Sequence, residues 1–412
     1  MLKTDLAALL RCTVLSAAVA LSTAAAQAQY DPNPNPYYDD ESSNFVDPDS
    51  AHAPRVQVTE GGRYEWVVIG PSGQADAVRA AIEGANGQII RRSEQGALGQ
   101  TTQIAYFLSP ADRAAAEEAI ARLAPESSLA LHHLFHFAQA AGRAPRLYAP
   151  ALIGEEQPGR CRLARPVSIG MIDGPINLDH PALRGVDVTY ETLVARGTLP
   201  QADHGTAVAV LMVGEDPSGA LAGFARGARL HAISVFAQTE QEEETNVERI
   251  AEAINRLVGQ GVHLINLSLA GPENAALGRA VAAAAARGVV LVAASGNERR
   301  PLVAWPAAAP DVIAVTAVDA SRRRFRLANT GVEIEFAAPG VDVYAARARG
   351  AGYVTGTSFA APIVTALAAR QMAQGAGSLA AVRAALQASV QTLGPGSRNT
   401  DFGWGLVRSD GC

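Results

Sequence analysis

Apolar and polar residues recur with two different periods along this chain, and the change of period marks its organisation. Between residues 62 and 137, short apolar runs bounded by turn residues predict strands over 64–69, 88–92, 103–108 and 129–135. Helical spacing predicts helices over 75–82, with Gly84 near the end, and over 111–123. Ser109-Pro110 opens the second of these, serine as the N-cap and proline at the first helical position, and Pro125 stops it. The order β-α-β-β-α-β is that of a small ferredoxin-like α+β module, the split βαβ unit.

From about residue 162 strands and helices alternate. Strands are expected over 167–172, 230–236, 262–267, 289–294 and 312–318, and helices over 204–213, 247–258 and 274–287. Val247, Ile250, Ala251, Ile254, Leu257 and Val258 keep one helical face apolar, and Gly261 and Gly288 follow the ends of two helices. This pattern predicts an α/β domain, a parallel sheet with helices on both faces. Ligands in that architecture sit at the carboxyl ends of the strands.

The first residues follow neither pattern. Lys3 and Arg11 precede an apolar run that reaches Ala26, and Ala26-Gln27-Ala28 has the small-x-small form of a cleavage site. Residues 1–28 therefore read as a secretory signal peptide, too short in its apolar part for an anchor, so no stable membrane insertion is expected after its removal. A secreted or periplasmic location follows. Residues 29–54, with Pro32, Pro34, Pro36 and six carboxylates, read as a disordered acidic linker. The module then occupies 55–140, a second linker 141–160 and the α/β domain 161–412. The second linker holds Pro145, Pro150 and Pro158, with Arg143, Arg146 and Arg160 as exposed positions open to cleavage.

The net charge of −6 resides in the acidic linker. The remainder is nearly neutral and has no clustered basic surface, so a nucleic-acid partner is not expected. Cys12 would leave with the signal peptide. An oxidising compartment would then favour a disulfide between Cys161 and Cys412, two free thiols being the alternative. His132 and His136, four apart, could share a metal if helical, but no third ligand is evident and no metal site is assigned.

Three polar residues lie where strand ends are expected to place chemistry. Asp173 ends the strand over 167–172, His204 opens a helix, and Ser358 begins the apolar run from Ala360. A serine hydroxyl is a weak nucleophile until a base takes its proton, and the base needs a group that holds its tautomer. Singly, each has a plain structural use as a cap or packing residue. Together and in this order they supply an Asp-His-Ser triad. Asn297, after the strand over 289–294, could donate its amide to an oxyanion. An α/β-hydrolase esterase would carry its serine first, in Gly-x-Ser-x-Gly, and that order is absent here.

The motifs around these residues resemble those of the subtilisin-like serine proteases, the subtilase family. Ile172-Asp173-Gly174 with His180-Pro181-Ala182-Leu183 resembles the family's Asp block. Asp203-His204-Gly205-Thr206-Ala207-Val208-Ala209 resembles its His block, with Ala207 where a second histidine is common. Ile265-Asn266-Leu267-Ser268-Leu269 resembles the segment lining the substrate cleft, Ala294-Ser295-Gly296-Asn297-Glu298 the oxyanion segment, and Gly356-Thr357-Ser358-Phe359-Ala360-Ala361-Pro362 the Ser block. The resemblance covers about 162–410. It implies a subtilisin-like fold and a serine endopeptidase made as a zymogen, with Asp173, His204 and Ser358 catalytic and Asn297 in the oxyanion hole. Polypeptide substrates would lie along Ser268, Leu269 and Ala270. It implies that the first module is a propeptide that inhibits the enzyme, and that catalysis requires no cofactor; structural calcium, common in the family, has no assignable ligands here. A non-catalytic binding protein on the same fold is the competing function.

Overall fold

The computed structural model describes residues 56–137, 147–155, 162–195, 198–216, 218–239 and 242–409. The expected signal peptide, the acidic linker and both Cys161 and Cys412 lie outside the described residues.

The amino-terminal module consists of β1 (Trp66–Pro71), α1 (Ala75–Gly84), β2 (Gln88–Gln95), β3 (Gln100–Tyr106), α2 (Pro110–Leu123) and β4 (Ser128–Leu131). They form an antiparallel sheet in the order β2-β3-β1-β4. The Ser109 side chain accepts from the Asp112 amide and Pro110 stands at the first helical position, as the sequence pattern indicates. Side chains alternate between the two faces of β1. Val68 packs with Val78, Ile82 and Ile120 under α1 and α2. Val67 and Ile69 face the other way, into the core of the α/β domain.

The expected strand over 129–135 is two strands. After β4 the chain breaks step at His132-His133, and β5 (Leu134–Phe137) leaves the module for another sheet.

The α/β domain begins with one helical turn, α3 (Ala149–Leu152), followed by β6 (Ser168–Asp173), β7 (Val188–Thr192), α4 (Asp203–Val213), β8 (Arg229–Ser234), β9 (Ala237–Gln238) and β10 (Glu243–Asn246). Then come α5 (Val247–Gly259), β11 (Leu264–Leu267), β12 (Leu269–Ala270), α6 (Ala275–Ala285), β13 (Val290–Ala294), β14 (Val312–Val318) and β15 (Ile334–Pro339). The domain ends with β16 (Val343–Ala346), β17 (Ala351–Val354), α7 (Thr357–Ala373) and α8 (Leu379–Ser389).

Seven parallel strands run in the order β15-β14-β13-β11-β6-β8-β7. Both faces of β13 are covered, so its residues are all buried and apolar rather than alternating with polar ones. Val290, Val292 and Ala294 point to the core that holds α4 and α7, and Leu291 and Ala293 to the core that holds α5 and α6. The helix α5 is amphipathic and buries Val247, Ile250, Ala251, Ile254 and Leu257. The helix α7 is buried almost throughout, as befits a helix apolar on every side.

The segment read as a second linker is only partly one. Ala149, Leu152 and Ile153 join the main core. Arg370 of α7 and Glu155 form an ion pair whose side chains are 6% and 5% exposed. Arg370 also donates to the Phe224 carbonyl and to Ser409 Oγ. Residues 147–155 are thereby built into the α/β domain.

Candidate active site

Asp173 is the last residue of β6, at the carboxyl edge of the sheet's centre. His204 is the second residue of α4, and Ser358 the second of α7. All three are buried. The start of α4 can approach β6 only because residue 205 is glycine. A Cβ there would lie 2.4 Å from the Pro175 carbonyl oxygen and 2.6 Å from that of Gly174. The close approach sets His204 Nδ1 2.7 Å from Asp173 Oδ1, an oxygen that also accepts from the Gly174 amide at 2.7 Å. An ionised carboxylate accepts only, so Nδ1 carries the proton and Nε2 presents its lone pair. The Phe359 ring packs on the imidazole with centroids 5.1 Å apart, which brings the first turn of α7 against His204.

The first turn of α7 is held by an interior proline. Pro362 has no N–H to give to the carbonyl four residues earlier, that of Ser358. Ser268 Oγ donates to this carbonyl instead, at 2.8 Å. Ser268 in turn accepts from Asn266 Nδ2 at 2.9 Å, and Thr365 Oγ1 reaches Asn266 Oδ1 at 3.0 Å. A buried polar chain thus ties β11 to α7. The side chain of Ser268, assigned from sequence to the substrate cleft, is used in this bracing.

Asn297 holds Thr357, the residue before Ser358. Its Oδ1 accepts from the Thr357 amide at 3.1 Å and from Thr357 Oγ1 at 3.0 Å, which fixes the orientation of the amide. Its Nδ2 is buried and makes no hydrogen bond. Buried donors without partners are uncommon and call for an explanation. The loop that carries Asn297 turns at Gly296, φ +98°, where a side chain would meet Asn329 Nδ2 and Glu298 Oε2. Asn329 braces this loop. It accepts from the amides of Glu298 and Arg300 at 3.0 Å each and gives its own amide to the Gly296 carbonyl. The sequence reading missed Asn329. A buried Asn before a Thr-Gly turn was the only signal, and nothing local distinguishes it from a turn residue.

At the carboxyl edge, where the substrate cleft is expected, lies a strand of the chain itself. Antiparallel β5 lies between β12 and β10: Phe137 pairs with Leu269, His136 with both Ala270 and Glu244, Phe135 with Thr245 and Leu134 with Asn246. Phe135 is fully buried. Its ring fits because residue 271 is glycine; a Cβ there would come within 2.2 Å of the ring. Glu243, on β10, is half-buried, and burial pushes its carboxyl above the usual range, with His204 pulling the other way and Asp173 and Asp203 adding to the rise. Of the expected cleft residues, Leu269 and Ala270 carry the backbone pairing.

A braced imidazole, a hydroxyl at a helix N-terminus, an amide donor without a partner and an adjoining strand edge are the parts that acyl transfer on a polypeptide uses. The model of the subtilase family matches residues 164–405, and the chain belongs to that family. Subtilisin DY of Bacillus licheniformis is 33% identical over 178 residues, 41% of this chain and 62% of that protein. Subtilisin E of Bacillus subtilis (strain 168) is 30% identical over 258 residues, 59% of this chain and 64% of that protein. The chain thus spans just over three-fifths of the length of these relatives. Among solved structures, Patellamide maturation protease PatA matches with a TM-score of 0.51 at 28% identity, over 60% of this chain and 96% of that one. Prenylagaramide maturation protease PagA matches with a TM-score of 0.51 at 28% identity, over 59% of this chain and 90% of that one.

Proposed function

We propose that this chain is a serine endopeptidase that hydrolyses peptide bonds, exported and made as a zymogen. The observation that carries the reading is β5, an extended polypeptide paired backbone to backbone with β12, the strand that follows Ser268, whose hydroxyl bonds the Ser358 carbonyl. Backbone pairing reads main chain more than side chains, which suits polypeptide substrates of varied sequence. Ser358 Oγ attacks the scissile carbonyl carbon while His204 Nε2 takes its proton. Asp173 keeps Nδ1–H in place and balances the imidazolium. The carbonyl oxygen, now negative, accepts from Asn297 Nδ2, which gives that buried donor its partner. His204 passes the proton to the leaving amine, and water repeats the sequence on the acyl-enzyme. No cofactor enters these steps.

The module over 55–140 is then a propeptide that inhibits by leaving its last strand in the cleft. Residues 147–155 are part of the enzyme's core, so the maturing cut falls between Phe137 and Leu147. Arg143 and Arg146 lie within that window and Arg160 outside it. An apolar leader with a small-x-small end supports export to the periplasm or beyond; among the described residues no helix is long and apolar enough to cross a membrane. Export favours the Cys161–Cys412 bridge.

The test is Ser358→Ala. The variant folds, keeps residues 55–137 attached, and neither cleaves casein nor reacts with a fluorophosphonate. In subtilisin, triad losses lower turnover by up to about 10⁶, a value established for that enzyme and not worked out from this structure. Casein cleavage by the purified variant at the parent's rate rules the proposal out.

A further inference from the structure

Between β4 and β5 the module places two consecutive histidines on the α/β domain, both buried: His132 is 0% and His133 4% exposed. His132 Nδ1 lies 2.9 Å from Glu65 Oε2, and its Nε2 accepts from the Glu248 amide, in the first turn of α5, at 3.3 Å. His133 meets Asn274, the N-cap of α6. Asn274 Oδ1 accepts from the Leu277 amide at 3.0 Å, so its NH₂ group faces the module. That group donates to the Leu131 carbonyl at 2.7 Å and to His133 Nδ1 at 3.1 Å. Each histidine thus offers a lone pair to a donor at a helix N-terminus, where the partial charge is positive. Neither contact survives protonation of the nitrogen that accepts.

We propose that His133 makes attachment of the module acid-labile: neutral His133 accepts from the cap of α6, and its protonation weakens attachment of the module and of β5 with it.

The inference rests on the reading of the module as an inhibitor. His133 carries the switch because of what faces it. His132 differs in having the Glu65 carboxylate at its Nδ1, with Arg91 bridging Glu65 and Glu248. Around His133 are Asn274 from α6, a bridge to Val56 and the neighbouring His132. The charged side chain that α6 sends to the module, Arg279, bonds Ser128 Oγ at 2.8 Å. No carboxylate among the described residues bonds His133. Burial first, and then His132, push the His133 imidazole down from 6.5 to about 4. The sign follows. A histidine whose titration is depressed in the attached state favours attachment above its free value and loses that contribution as pH falls between the two. With a released value near ~6.5 and an attached one near about 4, attachment weakens by about thirtyfold from pH 7.5 to pH 5.

The experiment is hydrogen exchange by mass spectrometry on the full chain carrying Ser358→Ala, corrected for the intrinsic pH dependence of exchange. This variant cannot cut itself under the proposed mechanism, and the readout is attachment rather than hydrolysis, so its failure is distinct from failure of the protease reading. Protection of the β5 amides falls about thirtyfold at pH 5 while that of β13 is kept. His133→Gln, which retains an acceptor but cannot titrate, keeps β5 protected at pH 5. Asn274→Asp, still a good cap, presents oxygen to His133, so protection is greater at pH 5 than at pH 7.5. Equal β5 protection at both pH values in the parent overturns the proposal. So does equal acid loss in the parent and both variants, or parallel loss in β13, which marks unfolding instead of release.

Discussion

Phe135 offers a quantitative test of the proposal that the module holds the cleft shut. The ring is fully buried between β10 and β12 and belongs to the same apolar cluster as Val247, Leu267 and Leu277. Phe135→Ala removes the whole ring from a site whose walls are strands and helices of the enzyme and cannot collapse freely. Truncating a buried phenylalanine to alanine costs about 3–5 kcal/mol. At about 1.4 kcal/mol per power of ten, the fraction of molecules with β5 out of the cleft rises by roughly two to three and a half powers of ten. The assay is the rate at which excess fluorophosphonate labels Ser358 in the full chain at pH 7.5, parent and variant side by side. Gly271→Ala attacks the same contact from the enzyme side, since its Cβ would lie 2.2 Å from the ring. Both variants speed labelling, and the double variant gains little over Phe135→Ala because the two changes share one contact. A labelling rate within threefold of the parent for Phe135→Ala refutes the reasoning, since the ring would then contribute nothing to closure.

Three further outcomes follow from the geometry. Asn297→Ala removes the buried donor and should lower kcat by about 10²–10³ with KM nearly unchanged, on the scale established for the corresponding loss in subtilisin rather than calculated here; steady-state kinetics on a peptide anilide decides it. Glu155→Ala leaves the Arg370 guanidinium buried without its carboxylate and should destabilise the Ser358→Ala chain by about 3–5 kcal/mol in urea, with Glu155→Gln losing less. If residues 147–155 were a true linker, neither change would move the midpoint. A peptide map of protein from the secreted fraction should link Cys161 to Cys412; free thiols at both positions would show that export has not produced the bridge.

Much of this molecule follows from local pattern. The module's sheet and helices are legible from 2.0 and 3.6 periodicities because each element buries one face, and the Ser109-Pro110 cap works through bonds within three residues. Asp173, His204 and Ser358 are legible as candidates because a parallel sheet brings the ends of its strands to one edge, where Asp173 and His204, far apart in sequence, meet. What the tertiary structure alone decided concerns partners distant along the chain. Residues 129–135 read as one strand; only the competition between β1 and the β10–β12 edge breaks it at His132-His133. The strands β9 and β12 are two residues long and exist only through their neighbours. Residues 149–155 read as linker because prolines and glycines surround them, yet the apolar side chains of Ala149, Leu152 and Ile153 find the main core and Glu155 finds Arg370, 215 positions away. Ser268 braces the Ser358 carbonyl because Pro362 cannot, a need created by a residue on another element. Periodicity records which face a residue buries; it carries no information on what lies across the interface, and that is where this site acquires its bracing and its occupant.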